Sequence, residues 1–391
     1  MRAGLQSLQL GQYDTCLAEF ELRRYTILHT IEGSGPGGAE TVLLELASKV
    51  SRERYRSLAF LPEGNWLPGK LHERGVPYVI AKSKTWYDLI RDMRSLVRAE
   101  GVDLIHSHLD DQNFSTSVVG KLTGCKTIVT YHGAPRLARQ QGLRRKIKAW
   151  VPQRFATEIT VVSDYLRNTL VESGFPPHRT HRVYNGVDLG RFASGEAANL
   201  RGALGLPPHA KLVGMVANLR QAKGYEYFVQ SARAVVDVIP ESYFLAVGET
   251  AEAMLARLQD LVRQLKLDAR VSFLGFRKDV HGILRDLDVF VLTSTNEGLS
   301  ISTIEAMAAG KPVVVTRSGG PEEIVEDGIT GYLVPPADAG ALAARVCEIL
   351  RNPDVGRCLG SKAQAAVARK FSLQGMVEQY ESLYQRCLGE N

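Results

Sequence analysis

The segment DVFVLTSTNEGLSISTIEAMAAGKPVVVT, residues 288–316, contains two apolar runs with a helical pattern between them. The runs at 288–294 and 311–316 are short, continuous and rich in valine, which is typical of strands buried on both faces of a sheet. The pattern between them predicts a helix that starts near Ser300 and ends just before Pro312. A strand, a helix and a second strand in this order predict a parallel β-α-β unit.

Strand-like runs of the same kind alternate with helical patterns along most of the chain. They form two series, the first at 25–31, 56–61, 77–82, 103–108, 126–132, 158–163 and 181–186 and the second at 211–218, 243–249, 270–276, 288–294 and 311–316. Helical patterns lie between most of the runs, for example at Thr41–Val50 and Glu226–Val238. Two such series predict an α/β fold with two Rossmann-like, doubly wound parallel-sheet domains and a ligand-binding cleft between them.

The predicted boundary between the domains lies in residues 188–208, which are rich in glycine, alanine and proline. We expect a first domain at 23–187, a second domain at 188–370 and an amphipathic helix at 371–391 whose apolar side needs a surface to cover. Residues 1–22 fit no obvious element and are predicted to form a loosely attached extension.

The composition is that of a globular protein with more than one domain. The chain has 391 residues, of which 45% are hydrophobic and 23% are charged, and it has no apolar stretch of membrane-spanning length. The first residues carry acids and no apolar core, so a secretory signal is not expected there. The five cysteines are scattered without disulfide or metal-site spacing. We therefore expect a protein of the reducing cytoplasm.

A basic stretch accounts for part of the net charge of +6. Residues 133–157 contain no acid, and the cations among them are Arg136, Arg139, Arg144, Arg145, Lys146, Lys148 and Arg154. The stretch is either a solvated helix face or a patch for an anionic acceptor or an anionic lipid surface. The second interpretation predicts peripheral binding to the inner face of the membrane through residues 136–154. Nucleic acid is not an expected partner, because no nucleic-acid-binding module is recognisable.

Residues that follow the strands at their carboxyl ends are candidate binding residues, since ligands of parallel sheets bind there. Gly37 and Gly38 follow the first strand in EGSGPGGAE and either let the backbone approach a ligand closely or form an ordinary turn. Arg220 and Lys223 lie three residues apart at a helix start after the run at 211–218. Because cations are disfavoured at a helix N-terminus, this pair indicates a bound anion such as a diphosphate, with a surface charge pair as the alternative.

Two acids lie at the strand end of the segment described first. Glu297 follows the strand, and Glu305 lies in the second turn of the predicted helix. Carboxylates at such positions can accept hydrogen bonds from polyol hydroxyls. Residues 275–277 follow another run and form either a ledge for a flat ring or a turn with Asp279 at the start of a helix. Two cations, two acids and a ledge together describe the binding of a nucleotide sugar.

Three histidines end two neighbouring strands of the first series. His106 and His108 end one strand, and His132 ends the next. A histidine at such a strand end can donate a hydrogen bond to a substrate hydroxyl, whereas His106 can equally be a buried, hydrogen-bonded core residue. Asp110 and Asp111 are predicted to cap the helix that follows. The acceptor-side candidates are His108, Arg136 and Arg139.

A set of motifs, in order along the chain, resembles those of glycosyltransferase family 4, the retaining enzymes of GT-B fold. The motifs are GPGGAE after the first strand, TYHG at 130–133, NGVDLGRF at 185–192, NLRQAKG at 218–224, GFRKDV at 275–280, EGLSISTIEAMAAGKPVV at 297–314 and SGGPEEIVEDGITGYLV at 318–334. The resemblance extends from Tyr25 to about Leu388, and Glu297 and Glu305 match the family's E-x7-E pattern. It implies two Rossmann-like domains that face each other, with the final helix crossing back to the first domain.

The resemblance also implies roles for individual residues. Glu305 would hold the ribose hydroxyls of the nucleotide, and Glu297 would contact hydroxyls of the donor sugar. Arg220 and Lys223 would bind the diphosphate, and His132 would lie near the transferred sugar. The expected catalytic residues are Glu297, His132, Arg220 and Lys223. The expected donor-binding residues are Gly37, Gly38, Asn218, Arg220, Lys223, Gly275, Phe276, Arg277, Gly298, Leu299, Ser300 and Glu305.

The implied function is transfer of a hexosyl group, with retention of anomeric configuration, from a nucleotide diphosphate sugar to a hydroxyl acceptor. A UDP-sugar is the favoured donor, and the expected acceptor is a glycan or lipid-linked saccharide of cell-surface polysaccharide or glycolipid synthesis. No metal cofactor is expected, because the two cations and helix N-termini would stabilise the leaving diphosphate. The alternatives are a non-catalytic nucleotide-sugar-binding protein of GT-B fold and another GT-B enzyme, such as a sugar-nucleotide epimerase. Leu299 stands where the family often has Phe, so the shape of the sugar pocket stays open.

Overall fold

The structure is a computed structural model that describes residues 24–82, 85–133, 143–193 and 195–390. The extension expected at 1–22 and the candidates Arg136 and Arg139 lie outside the described residues. Of the helices in the described part of the chain, none has both the length and the apolar character that a membrane span requires.

The first domain is built on a parallel sheet of seven strands in the order β3-β2-β1-β4-β5-β6-β7. Its strands are β1 Tyr25–Ile31, β2 Tyr55–Leu61, β3 Tyr78–Ile80, β4 Leu104–His108, β5 Lys126–Tyr131, β6 Glu158–Val161 and β7 Thr180–Arg182. Its helices are α1 Gly38–Lys49, α2 Trp66–Glu73, α3 Trp86–Ala99, α4 Asp110–Thr123, α5 Leu143–Phe155 and α6 Asp164–Glu172.

The second domain is built on a parallel sheet of six strands in the order β10-β9-β8-β11-β12-β13. Its strands are β8 Lys211–Val216, β9 Ser242–Val247, β10 Val271–Phe273, β11 Val289–Leu292, β12 Val313–Thr316 and β13 Tyr332–Val334. The helices that follow β7 are α7 Leu189–Ala193, α8 Leu200–Ala203, α9 Tyr225–Val238, α10 Glu252–Gln264, α11 Val280–Asp286, α12 Ile301–Ala308, α13 Ala339–Arg351, α14 Pro353–Lys370 and α15 Leu373–Leu388. The expectation of two doubly wound parallel-sheet domains is confirmed.

The β-α-β unit at 288–316 has the predicted form. The strands β11 and β12 pair in parallel, with Phe290 opposite Val313, and both strands are buried. Ser300 is the N-cap of α12, and its hydroxyl accepts a hydrogen bond of 3.2 Å from the backbone N–H of Thr303. The cap fixes where the helix begins, directly beyond the carboxyl end of β11.

The strand β13 was absent from the prediction. It has only three residues, Tyr332–Val334, and Pro335 follows directly. The apolar run itself ends after these three residues, between Gly331 and Pro335, and is too short to show a strand pattern. The strand is defined by its parallel pairing with the edge of β12.

The chain crosses between the domains at two adjacent points. The backbone N–H of Val187 donates to Phe371, and the N–H of Leu373 donates back to Val187. A Cβ atom at Gly186 would overlap the backbone of residues 372–373, so only glycine permits this close approach. The helix α15 then lies on the first domain, where Tyr384 is fully buried.

A carboxylate from the second domain caps a helix of the first domain. Glu323 accepts hydrogen bonds from the backbone N–H groups of Asp164 (2.9 Å) and Tyr165 (2.7 Å), which lie at the start of α6. The same carboxylate accepts a bond of 2.9 Å from the hydroxyl of Tyr184. A negative charge at a helix N-terminus is favourable, so these contacts link the two domains on one side of the cleft.

Replacing this carboxylate should weaken the link between the domains. We expect Glu323→Ala to lower the free energy of unfolding by about 2 kcal/mol, because two backbone N–H groups and a hydroxyl lose a charged partner. Thermal melting followed by circular dichroism measures the change, and Glu326→Ala, at an exposed glutamate three residues later, is the control. Equal melting temperatures for the two variants would contradict the predicted role of Glu323.

Candidate functional site

The glycine-rich turn after β1 contacts the second domain. The side-chain amide of Asn218, which follows β8, donates a hydrogen bond of 2.9 Å to the carbonyl of Pro36. A Cβ atom at Gly38 would lie 3.1 Å from the side chain of Ile301, the first residue of α12. The structure therefore places the turn, the end of β8 and the N-terminus of α12 around one space in the cleft.

Lys223 lies in a 3₁₀ turn that precedes α9. Its ammonium group forms an ion pair with Glu297, and the hydroxyl of Ser294 donates a 3.0 Å bond to the same carboxylate oxygen. The side chains of Lys223 and Glu297 are 23% and 12% exposed, so the pair is mostly shielded from water. Gly224 after it has a φ of 61°, the left-handed region that favours glycine. The turn thus places Lys223, the predicted diphosphate ligand, in contact with Glu297, the predicted sugar ligand.

Arg220 is exposed and is the N-cap residue of the same turn. Its charge lowers the pKa of Glu40 on α1, although burial of that carboxyl raises the pKa by more. The nearby charges of Glu32 and Glu249 also raise it. Arg220 therefore lies beside the glycine-rich turn, among carboxylates from both domains.

The backbones of Gly298 and His132 meet across the cleft. A Cβ atom at Gly298 would overlap the carbonyl oxygen of His132 and lie 3.0 Å from the side chain of Leu166. The neighbouring Glu297 is held on its other side by a parallel bridge to Gly319. These contacts bring together Glu297 and His132, which come from different domains.

Glu305 is partly exposed on α12, and its carboxyl has no hydrogen-bond partner among the described residues. Burial raises the pKa of Glu305 from the usual 4.5 to about 7, while the charge of Arg191 on α7 opposes this shift. A carboxyl group without a protein partner is available to accept hydrogen bonds from a ligand.

Leu299 and Ser300 can contact a ligand only through their backbone. The Leu299 side chain is 5% exposed and packs in the core, and the Ser300 hydroxyl is committed to the cap of α12. This geometry agrees with a role for N–H groups rather than side chains at the start of the helix.

The ledge residues follow β10. Gly275 has a φ of 66°, the ring of Phe276 is 42% exposed, and Arg277 forms two hydrogen bonds with Asp279, of 2.8 and 2.6 Å. The carboxylate of Asp279 does not cap α11, because it is committed to Arg277. Asp279 nevertheless stands at the N-cap position of α11, so the turn with Asp279 at the start of a helix is confirmed, and the exposed ring of Phe276 lies beside the strand end.

The predicted cap of α4 by Asp110 and Asp111 is also wrong. The N-cap position is Leu109, without a side-chain cap, and Asp111 instead forms an ion pair of 2.6 Å with Lys148 of α5. Leu109 has a φ of 73°, a strained conformation that leucine rarely adopts. No pattern in the sequence signals this strain, which lies directly after His108.

His108 lies at the end of β4, within reach of His132. Its Nδ1 atom is 2.8 Å from Nε2 of His132, so the acceptor-side candidate and the predicted catalytic histidine share a hydrogen bond. The structure also places Glu40 near the charges of Arg220 and Glu249. Neither glutamate is among the predicted site residues, although Glu40 belongs to the GPGGAE motif.

Comparison with known proteins identifies relatives along most of the chain. The model for glycosyltransferase family 4 matches residues 36–191, and the model for glycosyl transferases group 1 matches residues 197–366. The N-acetyl-alpha-D-glucosaminyl L-malate synthase of Bacillus anthracis is 27% identical over 371 residues, which cover 91% of this chain and 95% of that protein.

Two further similarities concern an enzyme and a solved structure. The UDP-Gal:alpha-D-GlcNAc-diphosphoundecaprenol alpha-1,3-galactosyltransferase of Escherichia coli is 26% identical over 312 residues, which cover 76% of this chain and 80% of that enzyme. The crystal structure of Anabaena HepE in complex with UDP and glucose superposes with a TM-score of 0.85 at 23% identity, covering 93% of this chain and 100% of HepE. At that identity the superposition establishes a shared fold.

The raised pKa of Glu305 predicts that the free energy of unfolding falls as the pH rises. The unfolded chain loses this proton near pH 4.5 and the folded chain near pH 7, so the folded state becomes less stable as the pH rises between these values. We expect Glu305→Gln to raise the free energy of unfolding at pH 8 by about 1–3 kcal/mol, and to have little effect near pH 4.5.

Melting temperatures of the variant and the wild type at the two pH values test this prediction. Glu297→Gln is the matched control, because that carboxylate already has a cationic partner in Lys223 and its loss should not stabilise the protein. A Glu305→Gln variant that melts at the wild-type temperature at pH 8 would contradict the prediction.

Proposed function

The chain belongs to glycosyltransferase family 4 and has the GT-B fold, and from this premise we propose that it transfers a hexosyl group from a nucleotide diphosphate sugar to a hydroxyl acceptor, with retention of anomeric configuration. The observation that carries the proposal is the hydrogen bond of Asn218 to the glycine-rich turn of the other domain, with Arg220 close enough to lower the pKa of Glu40. Lys223 lies three residues after Arg220 and is paired with Glu297. This arrangement would enclose a small anionic ligand from both sides.

The diphosphate is the first part of the proposed donor. Arg220 and Lys223 supply positive charge, and the glycine-rich turn and the start of α12 supply backbone N–H groups. When the bond to the anomeric carbon breaks, negative charge develops on the diphosphate, and preorganised charges of this kind stabilise it. Lys223 already binds Glu297, so in the complex it would lie between that carboxylate and the diphosphate.

The hydroxyl groups of the transferred sugar and of the ribose are the second part of the proposed donor. Glu297 would accept hydrogen bonds from the transferred sugar, supported by the backbone N–H groups of Gly298 and Leu299. Glu305 would accept bonds from the ribose hydroxyls, which provide the partners that its carboxyl lacks. The exposed ring of Phe276 would stack against the base of the nucleotide.

A UDP-sugar is the donor we favour, and a glycan or lipid-linked saccharide is the acceptor. The name of the Escherichia coli relative specifies UDP-Gal as its donor and a diphosphoundecaprenol-linked sugar as its acceptor, which supports both choices. The proposed acceptor class assigns the protein to cell-surface polysaccharide or glycolipid synthesis.

Donor binding is tested first. A bound donor stabilises the folded protein by mass action, by about 2.7 kcal/mol at a hundredfold excess over Kd. In a thermal-shift screen of UDP-glucose, UDP-galactose, UDP-N-acetylglucosamine, GDP-mannose and free UDP, we expect at least one UDP-sugar to raise the melting temperature most. No shift with any nucleotide sugar would refute the proposed site.

The product distinguishes the alternatives. A transferase forms a new glycoside whose anomeric proton coupling in NMR matches that of the donor. A sugar-nucleotide epimerase changes the donor without an acceptor, and a non-catalytic binder leaves it unchanged. Either of these results would replace the proposed function.

Loss of one charged donor contact should slow transfer strongly. We expect Lys223→Ala and Glu305→Ala each to reduce kcat/KM by about 30- to 1000-fold, since each removes a charge-assisted contact. The control is Arg257→Ala, at an exposed position on α10. Turnover near the wild-type value in both site variants would remove these residues from the donor site.

We also propose that α5 binds an anionic lipid bilayer. On this helix Ile147 and Trp150 are 45% and 54% exposed and lie one turn apart, and Lys146 is exposed beside them. Exposed apolar and cationic side chains on one short helix are typical of binding at a membrane interface. Arg136 and Arg139 belong to the same basic stretch of sequence.

Vesicle co-sedimentation tests this surface. We expect the protein to bind vesicles that contain phosphatidylglycerol at low salt, and Lys146→Glu with Trp150→Ser to weaken binding by about tenfold or more, because both a charge and an interfacial anchor are lost. Lys362→Glu, at an exposed lysine of α14, is the charge-matched control. Equal binding of the two variants, or no binding by the wild type, would refute the proposal.

A further inference from the structure

The carboxyl group of Glu40 lies inside the glycine-rich turn between β1 and α1. Glu40 is the third residue of α1, and its side chain reaches back past the start of the helix. A Cβ atom at Gly33 would overlap one oxygen of this carboxyl group, and a Cβ atom at Gly37 would overlap the other. The group therefore lies directly against the Cα atoms of both glycines.

The space beside these two glycines is what the Glu40 side chain uses. Gly37 is extended, with a φ of −157°, and Gly33 is not among the glycines with a positive φ. An ordinary side chain could therefore adopt either backbone conformation. Among the described residues other than its chain neighbours, a Cβ atom at Gly33 would meet only the Glu40 carboxyl group within 4 Å. Glycine at these positions thus makes room for a carboxyl group inside the turn.

The carboxyl group lies where an anion is favoured. The first turn of a helix carries N–H groups without partners in the helix and a partial positive charge. Burial raises the pKa of Glu40, while a hydrogen bond with its own backbone N–H and the charge of Arg220 lower it. The charges of Glu32 and Glu249 raise it further. Glu40 is therefore an anionic group at the start of α1, within the influence of a predicted diphosphate ligand.

The other two acids lie at the edge of the turn. Glu32 accepts a hydrogen bond of 2.9 Å from the backbone N–H of Asp111, at the start of α4. An oxygen of Glu249 would lie 3.7 Å from a Cβ atom at Gly35, which is an ordinary van der Waals distance. In the part of the chain that the structure describes, no group of three or more histidine, cysteine and acidic side chains has an arrangement that could hold a metal ion. The three acids therefore do not form a metal site, and of the three the Glu40 carboxyl group lies deepest in the turn.

The diphosphate of the proposed donor needs the same place, beside the glycine-rich turn and Arg220. Two anions in contact repel each other at a cost that exceeds most single interactions. We propose that Glu40 is an internal competitor of the donor: its carboxyl group occupies the glycine-rich turn, and the diphosphate of a nucleotide sugar displaces it on binding. The identity of the displacing ligand rests on the proposed function, whereas the position of the carboxyl group does not.

This competition also acts on the product. The carboxyl group can return to the turn as the nucleoside diphosphate leaves, so the side chain that weakens donor binding also favours product release. In a transfer assay we expect Glu40→Gln to lower the inhibition constant of UDP by about tenfold. An unchanged inhibition constant would contradict the inference.

Isothermal titration with UDP at pH 8 tests the competition directly. We expect Glu40→Gln to lower the Kd of UDP by about tenfold, because the amide keeps the shape of the side chain and removes its charge. Glu249→Gln is the matched control, since it removes the same charge near the turn but outside it, and its Kd should change by less than about threefold. Equal tightening in the two variants would show a long-range charge effect and overturn the inference. An unchanged or higher Kd in Glu40→Gln would also overturn it, because the side chain would then only cap α1 or bind another group.

Gly33→Ala tests the position of the carboxyl group. The added Cβ atom should push the group out of the turn and lower the Kd of UDP by about threefold or more. In a Glu40→Ala background no carboxyl group remains to be displaced, so the same change should alter the Kd by less than about twofold. If Gly33→Ala weakened UDP binding equally in both backgrounds, the methyl group would obstruct the ligand itself and the inference would fail.

Inorganic pyrophosphate separates this inference from the proposed function, because it carries the anionic part of the donor without base or sugar. If UDP bound none of these proteins but pyrophosphate bound Glu40→Gln at least about fivefold more tightly than the wild type, the proposed function would fall and the competition by Glu40 would stand. A Glu40→Gln protein that binds neither ligand more tightly than the wild type would overturn the inference. If the wild type still bound UDP in that case, the proposed donor site would stand without it.

Discussion

The candidate site depends on the backbone contact between Gly298 and His132, where no side chain fits. Because the contact is backbone to backbone, it sets how closely the two sheets approach at their carboxyl edges. The Asn218–Pro36 hydrogen bond and the cap that Glu323 places on α6 hold the domains together on either side of it. Residues that are far apart in the sequence thereby reach one small space.

The charges around this space support the proposal of an anionic, hydroxyl-rich ligand. A buried or half-buried charge is costly unless it is paired, and Lys223 and Glu297 satisfy each other. Among the described residues Glu305 has no such partner, and burial raises its pKa. Arg220 is exposed, and its charge lowers the pKa of the Glu40 carboxyl in the first domain. In the described part of the chain, no group donates a hydrogen bond to the Glu305 carboxyl, and Arg220 lies in solvent. In the proposed complex, a nucleotide sugar would supply partners for both.

Local patterns predicted most of the architecture and the positions of two acids within it. Apolar runs identified twelve strands, and the spacing of Glu297 and Glu305 placed one acid on a loop and the other on α12. The failures were β13, which is too short to show a pattern, and the cap assigned to Asp110 and Asp111. That assignment failed because the tertiary structure brings Lys148 of α5 next to Asp111, a contact that no local pattern encodes.

The sequence by itself determined the two parallel sheets, the helix that begins at Ser300 and the residue types at the strand ends. These features depend on hydrophobic periodicity, helix caps and glycine, which act over a few residues. Only the tertiary structure decided which groups meet: Lys223 with Glu297, Gly298 with His132, and His132 with His108. The physical reason is that these contacts join separate strand ends or opposite domains, so they exist only after the sheets have formed and the domains have packed together.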